Sequence, residues 1–244
     1  MIRILEELAM NAWPALHNLH YDGWVLRTTD GYTKRANSVH PLYEPKLDLD
    51  EKIGFCESFY RDLSQPTVFK MTASSTPSGL DAHLDALGYL KDSPTSIQLL
   101  DLNSGNHATA AGVELTSTDT ETWHTAFARM NHVSAERQVL HEQILRTILP
   151  DKCYASILKD GSIIGCGLGV KQAGYLGIFD IVIDPDYRNN GHGERLMEAL
   201  LAWGVQQGAQ MAYLQVMCDN EPALRLYEKL GFQEKYQYWY RVKE

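Results

Sequence analysis

Between Ile178 and Gly204 an apolar strand, a turn with two glycines and an amphipathic helix follow one another without a break. No other stretch constrains the chain as much. The turn reads Arg188-Asn189-Asn190-Gly191-His192-Gly193. Glycine reaches left-handed backbone angles freely and asparagine tolerates them, so the strand can pass straight into the helix. The first amides of a helix have no partner inside it and lie at the positive end of its dipole, where they attract anions. A tight connection alone would also account for such a turn, and the flanking sequence has to decide.

Two phosphate-binding loops demand residues at fixed offsets, and neither is met. A Walker loop needs Lys-Ser or Lys-Thr after its last glycine, but Glu194-Arg195 follows Gly193. A dinucleotide fingerprint needs a third glycine where Leu196 stands. Nucleoside triphosphates and NAD are therefore disfavoured. A second glycine cluster, Gly165-Cys166-Gly167-Leu168-Gly169, sits inside an apolar run and reads as a strand approached closely by other backbone.

With 244 residues, 44% of them hydrophobic, the chain can bury one large core or two modest ones. Its formal charge of −9, with no basic run, argues against nucleic acid or an anionic membrane as partner, since either needs a concentrated basic face. Cys56, Cys153, Cys166 and Cys218 lack the paired spacings of a zinc or redox site, so no metal is expected. With no secretory leader at Met1-Ile2-Arg3-Ile4 and no apolar run near the ~18 residues of a membrane helix, the expectation is a cytoplasmic protein.

The small and polar stretch from Asn103 to Gly112 has the composition of a linker. It sets expected domains of 1–105 and 113–244 with a linker at 106–112. Before it, the pattern predicts a helix over 2–13, strands over 21–27 and 32–39 around an Asp30-Gly31 turn, and a helix over 48–63. A strand over 67–72, a helix over 78–87 and a strand over 95–102 follow. After it come a strand over 113–116, helices over 119–130 and 135–149, and a hairpin of 154–158 with 162–170 around Asp160-Gly161. A strand over 175–183, the turn and its helix, a strand over 211–217, a helix over 221–230 and an aromatic-rich strand pair over 233–242 complete the reading. The ends of the two halves share strand, polar loop, short helix and Leu-Gly-aromatic, an internal repeat of domain length.

Arg188-x-x-Gly191-x-Gly193 after an apolar strand, followed by "NEPALRLYEKLGF" from Asn220 to Phe232 after the next strand, resembles the GNAT superfamily of acyl-CoA-dependent N-acyltransferases. The resemblance spans Val113 to about Arg241. It implies a mixed-sheet α/β fold and acetyl-CoA as cosubstrate. By the same resemblance the turn Arg188, Asn189, Asn190, Gly191, His192, Gly193 and Glu194 holds the coenzyme pyrophosphate. The backbone of Ile181, Val182 and Ile183 binds the pantetheine arm like an added strand. Asn220 holds the pantetheine end and Tyr227 protonates the departing sulfur. Two positions depart from the family pattern: Glu194 places an anion near the phosphate site, where it points to solvent or pairs with Arg195, and His192 replaces an aliphatic residue. The N-terminal half resembles a degenerate copy of the fold, a tandem arrangement. Leu84 stands in the place of Tyr227 and Pro77 in that of Asn220, and no glycine turn of the first type precedes residue 110.

An amine must be neutral to attack a thioester, so a base or a route to water is required, and Asp180, one residue before the pantetheine strand, is the candidate to accept the proton directly or through water. A surface aspartate is the alternative. The resemblance places His124, His132, Glu136 and His141 in the region that shapes the acceptor pocket. Arg27, Lys34, Arg35 and Asn37 on the first hairpin suit a carboxylate-bearing acceptor. Cys218 would serve a covalent route, but no activating partner neighbours it. The reading is an N-acetyltransferase acting on a primary amine of a small or amino-acid-like molecule. The alternatives are a peptide or protein acetyltransferase and a non-catalytic acyl-CoA sensor.

Overall fold

A computed structural model describes residues 1–104 and 111–244. In chain order the elements are α1 (Ile2–Ala12), β1 (His17–Tyr21), β2 (Trp24–Thr28), β3 (Val39–Pro41), α2 (Leu49–Asp62), β4 (Thr67–Thr72), α3 (Leu80–Ala86), β5 (Leu90–Asp101) and β6 (Glu114–Thr116). Then follow α4 (Glu121–Met130), α5 (Ala135–Thr147), β7 (Asp151–Lys159), β8 (Ser162–Gln172), β9 (Tyr175–Ile183), α6 (His192–Gln206), β10 (Met211–Met217), α7 (Glu221–Lys229) and β11 (Gln233–Lys243). Of the linker expected at 106–112, only Ala111 and Gly112 fall among the described residues.

Two local readings differ. The chain turns at Asp30-Gly31 as expected, both at positive φ, between the antiparallel β2 and β3, but residues 34–36 form a 3-10 turn where a strand was expected, and a further hairpin joins β1 to β2 at Asp22-Gly23. At this further hairpin the Asp22 carboxylate accepts from the backbone of Lys46 and Leu47, contacts 24 and 25 residues along the chain that the alternation of apolar residues does not reveal. The aromatic-rich tail forms one strand, β11, not two.

The chain divides into two compact units, Met1–Ser96 with Gln143–Thr147 and Tyr236–Glu244, and Ile97–Glu142 with Ile148–Lys235. In the first, the strand order is β1-β2-β3-β4-β11. β11 lies antiparallel to β4, Trp239 opposite Met71 and Tyr240 opposite Lys70. Trp24, Leu26, Val39, Phe69 and Met71 point to one face, where Ile53, Cys56 and Tyr60 of α2 and Leu80 and Leu84 of α3 cover them. Arg241 of β11 donates to both oxygens of Asp81 on α3, at 2.9 and 2.8 Å. Lys70 and Glu6 of α1 form an ion pair at 2.6 Å, with side chains only 3% and 2% exposed, and the Tyr236 hydroxyl donates to the same carboxylate at 2.7 Å.

In the second unit the order is β5-β10-β9-β8-β7-β6, antiparallel from β6 to β9 and parallel between β9 and β10. The Asp160-Gly161 turn joins β7 to β8 with both residues at positive φ, as two-residue hairpins require. Leu196, Met197 and Leu200 of α6 and Tyr227 of α7 pack on Ile178, Leu214 and Val216. The glycines of β8 permit this approach: a Cβ at Gly167 would lie 2.7 Å from Ile181 Cδ1 and 3.2 Å from Leu200 Cδ1.

Candidate active site

The strands β9 and β10 pair only at their starts. Their ladder runs from Met211 opposite Tyr175 to Leu214 opposite Ile178. On its other edge β9 keeps β8 as neighbour as far as Ile183 opposite Gly165. The register slips on the way, with Phe179 opposite Leu168 and Val182 opposite Cys166, so that Asp180 and Ile181 together face Gly167. This is a β-bulge, which bends the strand that carries it. Asp180 occupies the bulge with φ +53. The residues from Phe179 to Ile183 therefore run beyond the end of the β10 ladder, an edge suited to an extended ligand. Ile181 and Val182 lie within it, whereas the Ile183 carbonyl accepts from Arg188 Nε at 3.1 Å.

Beyond β9, Asp184 caps a 3-10 turn over Pro185–Tyr187 by accepting from the Asp186 amide at 3.2 Å. A hydrogen bond from Arg129, with burial opposing it, holds the Asp184 carboxyl below the usual range. Asn189 has φ +61, and Gly191, at φ +76, stands immediately before α6 without a side-chain cap. Asn190 folds its amide back on the carbonyls of Tyr187 and Arg188, at 3.3 and 3.0 Å. The amides of His192, Gly193 and Glu194 thus lead the helix at its positive end. The two glycines serve for different reasons. A Cβ at Gly191 would meet nothing, so the backbone angle is what selects glycine; a Cβ at Gly193 would lie 3.3 Å from Leu226 Cδ2. Glu194 does not pair with Arg195. It accepts from Lys229 Nζ at 2.7 Å, and Arg195 turns to the Ala111 carbonyl.

On α7, Asn220 caps the helix, its side-chain oxygen accepting from the Ala223 amide at 3.3 Å. Tyr227 is buried beside Phe232, ring centroids 6.0 Å apart, and burial pushes its hydroxyl up to about 12. It stays protonated and able to donate. Cys218 is raised by burial and then by the carboxylates of Glu234 and Asp219, the opposite of what an acyl-accepting thiolate needs.

Asp180 is no surface aspartate. Its side chain is 6% exposed, and Oδ2 lies 2.9 Å from Nε2 of His141, which is itself 1% exposed. His124 is equally buried and bonds Asp119. His132 and Glu136 are exposed. Sequence reading placed His141 only among residues around an acceptor; nothing in the sequence links it to a strand residue 39 positions away.

The cationic side chains of the first unit have other work. Arg27 is 2% exposed, donates to the carbonyls of Arg35, Met10 and Trp13, and is pulled down to about 10 chiefly by burial. Asn37 holds the amides of Thr29 and Gly31, Lys34 pairs with Asp92, and Arg35 lies over the Trp13 ring. Among the described residues no group of three or more His, Cys, Asp or Glu is placed to hold a metal ion, and no helix is long and apolar enough to cross a membrane.

Residues 1–241 match the family described as "Probable histone acetyltransferase Rv0428c C-terminal". The chain is 30% identical over 247 residues to the uncharacterized N-acetyltransferase YobR of Bacillus subtilis, covering 99% of this chain and 98% of that one. It is 40% identical over 57 residues to the [ribosomal protein bS18]-alanine N-acetyltransferase of Escherichia coli, 23% of this chain and 38% of the relative. Its fold is similar to that of a GCN5-related N-acetyltransferase from Kribbella flavida, with a TM-score of 0.71 at 14% identity over 99% of this chain and 95% of the other.

Proposed function

The chain belongs to the GNAT superfamily of acetyltransferases, and on that footing we propose that it moves an acetyl group from acetyl-CoA directly to a primary amine of a small or amino-acid-like molecule. One observation carries the reading: an uncapped helix N-terminus after a Gly191 turn adjoins a strand that runs past the end of its parallel ladder. The amides of His192, Gly193 and Glu194 suit a diphosphate, and glycine at 193 lets the start of α6 pack close to Leu226. Arg188, Asn189 and Asn190 shape that turn. The backbone of Ile181 and Val182 suits the amides of a pantetheine arm, with the Ile183 carbonyl shared with Arg188. Asn220 retains its side-chain amide donors for the same arm while its oxygen caps α7.

Bound there, acetyl-CoA supplies an acyl carbon activated as a thioester. Tyr227, protonated throughout the working pH range, donates its phenolic proton to the leaving sulfur. Asp180 takes the proton that the acceptor ammonium must lose before its nitrogen can attack. We read the first unit as a copy without coenzyme chemistry, because Leu84, in the place of Tyr227, is fully buried in its core. Four free cysteines suit a reducing cytoplasm.

The family description, which speaks of a histone acetyltransferase, favours a second reading in which the amine belongs to a peptide or protein. Thiol release from acetyl-CoA, measured against amines, amino acids, polyamines, aminoglycosides and basic peptides, separates the two. Turnover with small amines supports the first reading. Turnover restricted to peptides establishes the second, and no amine-dependent release at all refutes both.

A further inference from the structure

Asp180 is held in a way that strand residues seldom are. Its φ of +53 lies in a region that a residue with a Cβ enters at a cost, so the surroundings must hold it there. Its carboxylate is almost enclosed, and an enclosed carboxylate needs a donor. His141 Nε2 supplies one at 2.9 Å. The imidazole in turn has little freedom. Phe127 stacks on it with centroids 4.3 Å apart at 14°, Trp123 lies nearly parallel at 6.3 Å, and His124 meets it edge-on at 6.0 Å. His124 is anchored by its own bond to Asp119, and Trp123 by its bond to the Ala155 carbonyl at 3.0 Å. The direction of Nε2 is thus fixed by three rings, two of which are themselves pinned.

We infer that His141 is a positioning residue for acetyl transfer: donating from Nε2 to Oδ2, it holds the Asp180 carboxylate in the bulge so that Oδ1 takes the proton of the acceptor ammonium. In that step an N–H bond breaks, an O–H bond forms on Asp180, and the electron pair stays on the nitrogen that attacks. The inference rests on the reading of Asp180 as the base. It adds that a side chain which never touches substrate sets where that base stands.

The test is a double-mutant cycle in the full chain, with acetyl-CoA and the amine of the panel that turns over fastest. His141→Phe keeps the stack on Phe127 and removes the donor. His141→Gln places an amide nitrogen near the former Nε2. With His141→Phe, kcat should fall about 10 to 100-fold while the KM for the amine and the affinity for coenzyme A change little. His141→Gln should recover most of the loss, and His141→Phe should add nothing in an Asp180→Asn background. Hydroxylamine, largely neutral at pH 7 and in no need of a base, should be acetylated at a similar rate by all variants. If Asp180→Asn itself leaves kcat intact, the base reading fails and the inference with it. If Asp180→Asn is slow but His141→Phe is not, or if the two losses multiply, the positioning role alone is overturned. Should His141→Phe not fold, His141→Met against His141→Gln makes the same comparison of donor absent with donor present.

Discussion

Lys229 Nζ donates to Glu194 Oε2 at 2.7 Å, which ties the last turn of α7 to the first turn of α6. The helix that carries Tyr227 thereby neutralises the anion closest to the amides proposed for the coenzyme diphosphate.

Lys229→Ala should leave Glu194 uncompensated and weaken coenzyme A binding about 2 to 5-fold, while Glu194→Gln should strengthen it by a similar factor. Lys229 is 65% exposed, so both effects should shrink as salt rises. Calorimetric titration at low and high salt reads them; the same sign for both variants would place the diphosphate elsewhere.

The two turn glycines should respond differently to substitution. Gly193→Val adds branches where even one Cβ is tight against Leu226, so it should push the start of α6 and its amides out of place and lower coenzyme A affinity at least about 10-fold. Gly191→Ala meets no neighbour but strains a residue at φ +76, so its main effect should be a stability loss of about 1 kcal/mol. Paired thermal melts and coenzyme titrations distinguish obstruction from strain.

Tyr227→Phe keeps the ring against Phe232 and removes the proton donor. The single-turnover acetylation rate should fall about 10 to 100-fold, the low end of general-acid effects, because a thiolate is a tolerable leaving group. With the hydroxyl pushed up to about 12, the rate of the parent should show no downturn from Tyr227 below about pH 10. A chemical rate equal to the parent's would make Tyr227 a packing residue only.

The ion pair of Lys70 and Glu6 is enclosed on both sides. Lys70→Met should destabilise the protein by about 3 to 5 kcal/mol, since it strands a buried carboxylate with the Tyr236 hydroxyl as its remaining donor. Adding Glu6→Gln should return much of that loss. Urea titrations of the single and double variants measure both steps.

Apolar runs bounded by turn residues located most elements of the second unit, whose central strands are buried on both faces; β9 and β10 fall on their expected residues, as does β4 in the first unit. The turn before α6 was legible because Asn189 and Gly191 are selected by their own backbone angles and not by distant neighbours. The bulge at Asp180 was not, because it depends on a one-residue slip against β8 that no local pattern encodes. Nor were the partners of Glu194 and Asp180. Lys229 and His141 meet them only through tertiary packing, and a charge or an imidazole on a helix looks the same in sequence whether it faces water or a buried carboxylate. The Asp30-Gly31 turn was legible from its own residues, whereas the hairpin at Asp22-Gly23 was not, because Asp22 holds two backbone amides more than 20 residues away.

The pairing of β11 with β4 also orders events in time. Thr67–Thr72 emerges from the ribosome before the second unit is made, but the strand that covers its open edge is made only after that unit. At about 5 to 20 residues per second, that edge waits roughly 10 to 30 s for its partner. An uncovered strand edge invites pairing with other chains. The first unit is therefore completed only after the second has been synthesised, and nascent protein should aggregate most readily in that interval.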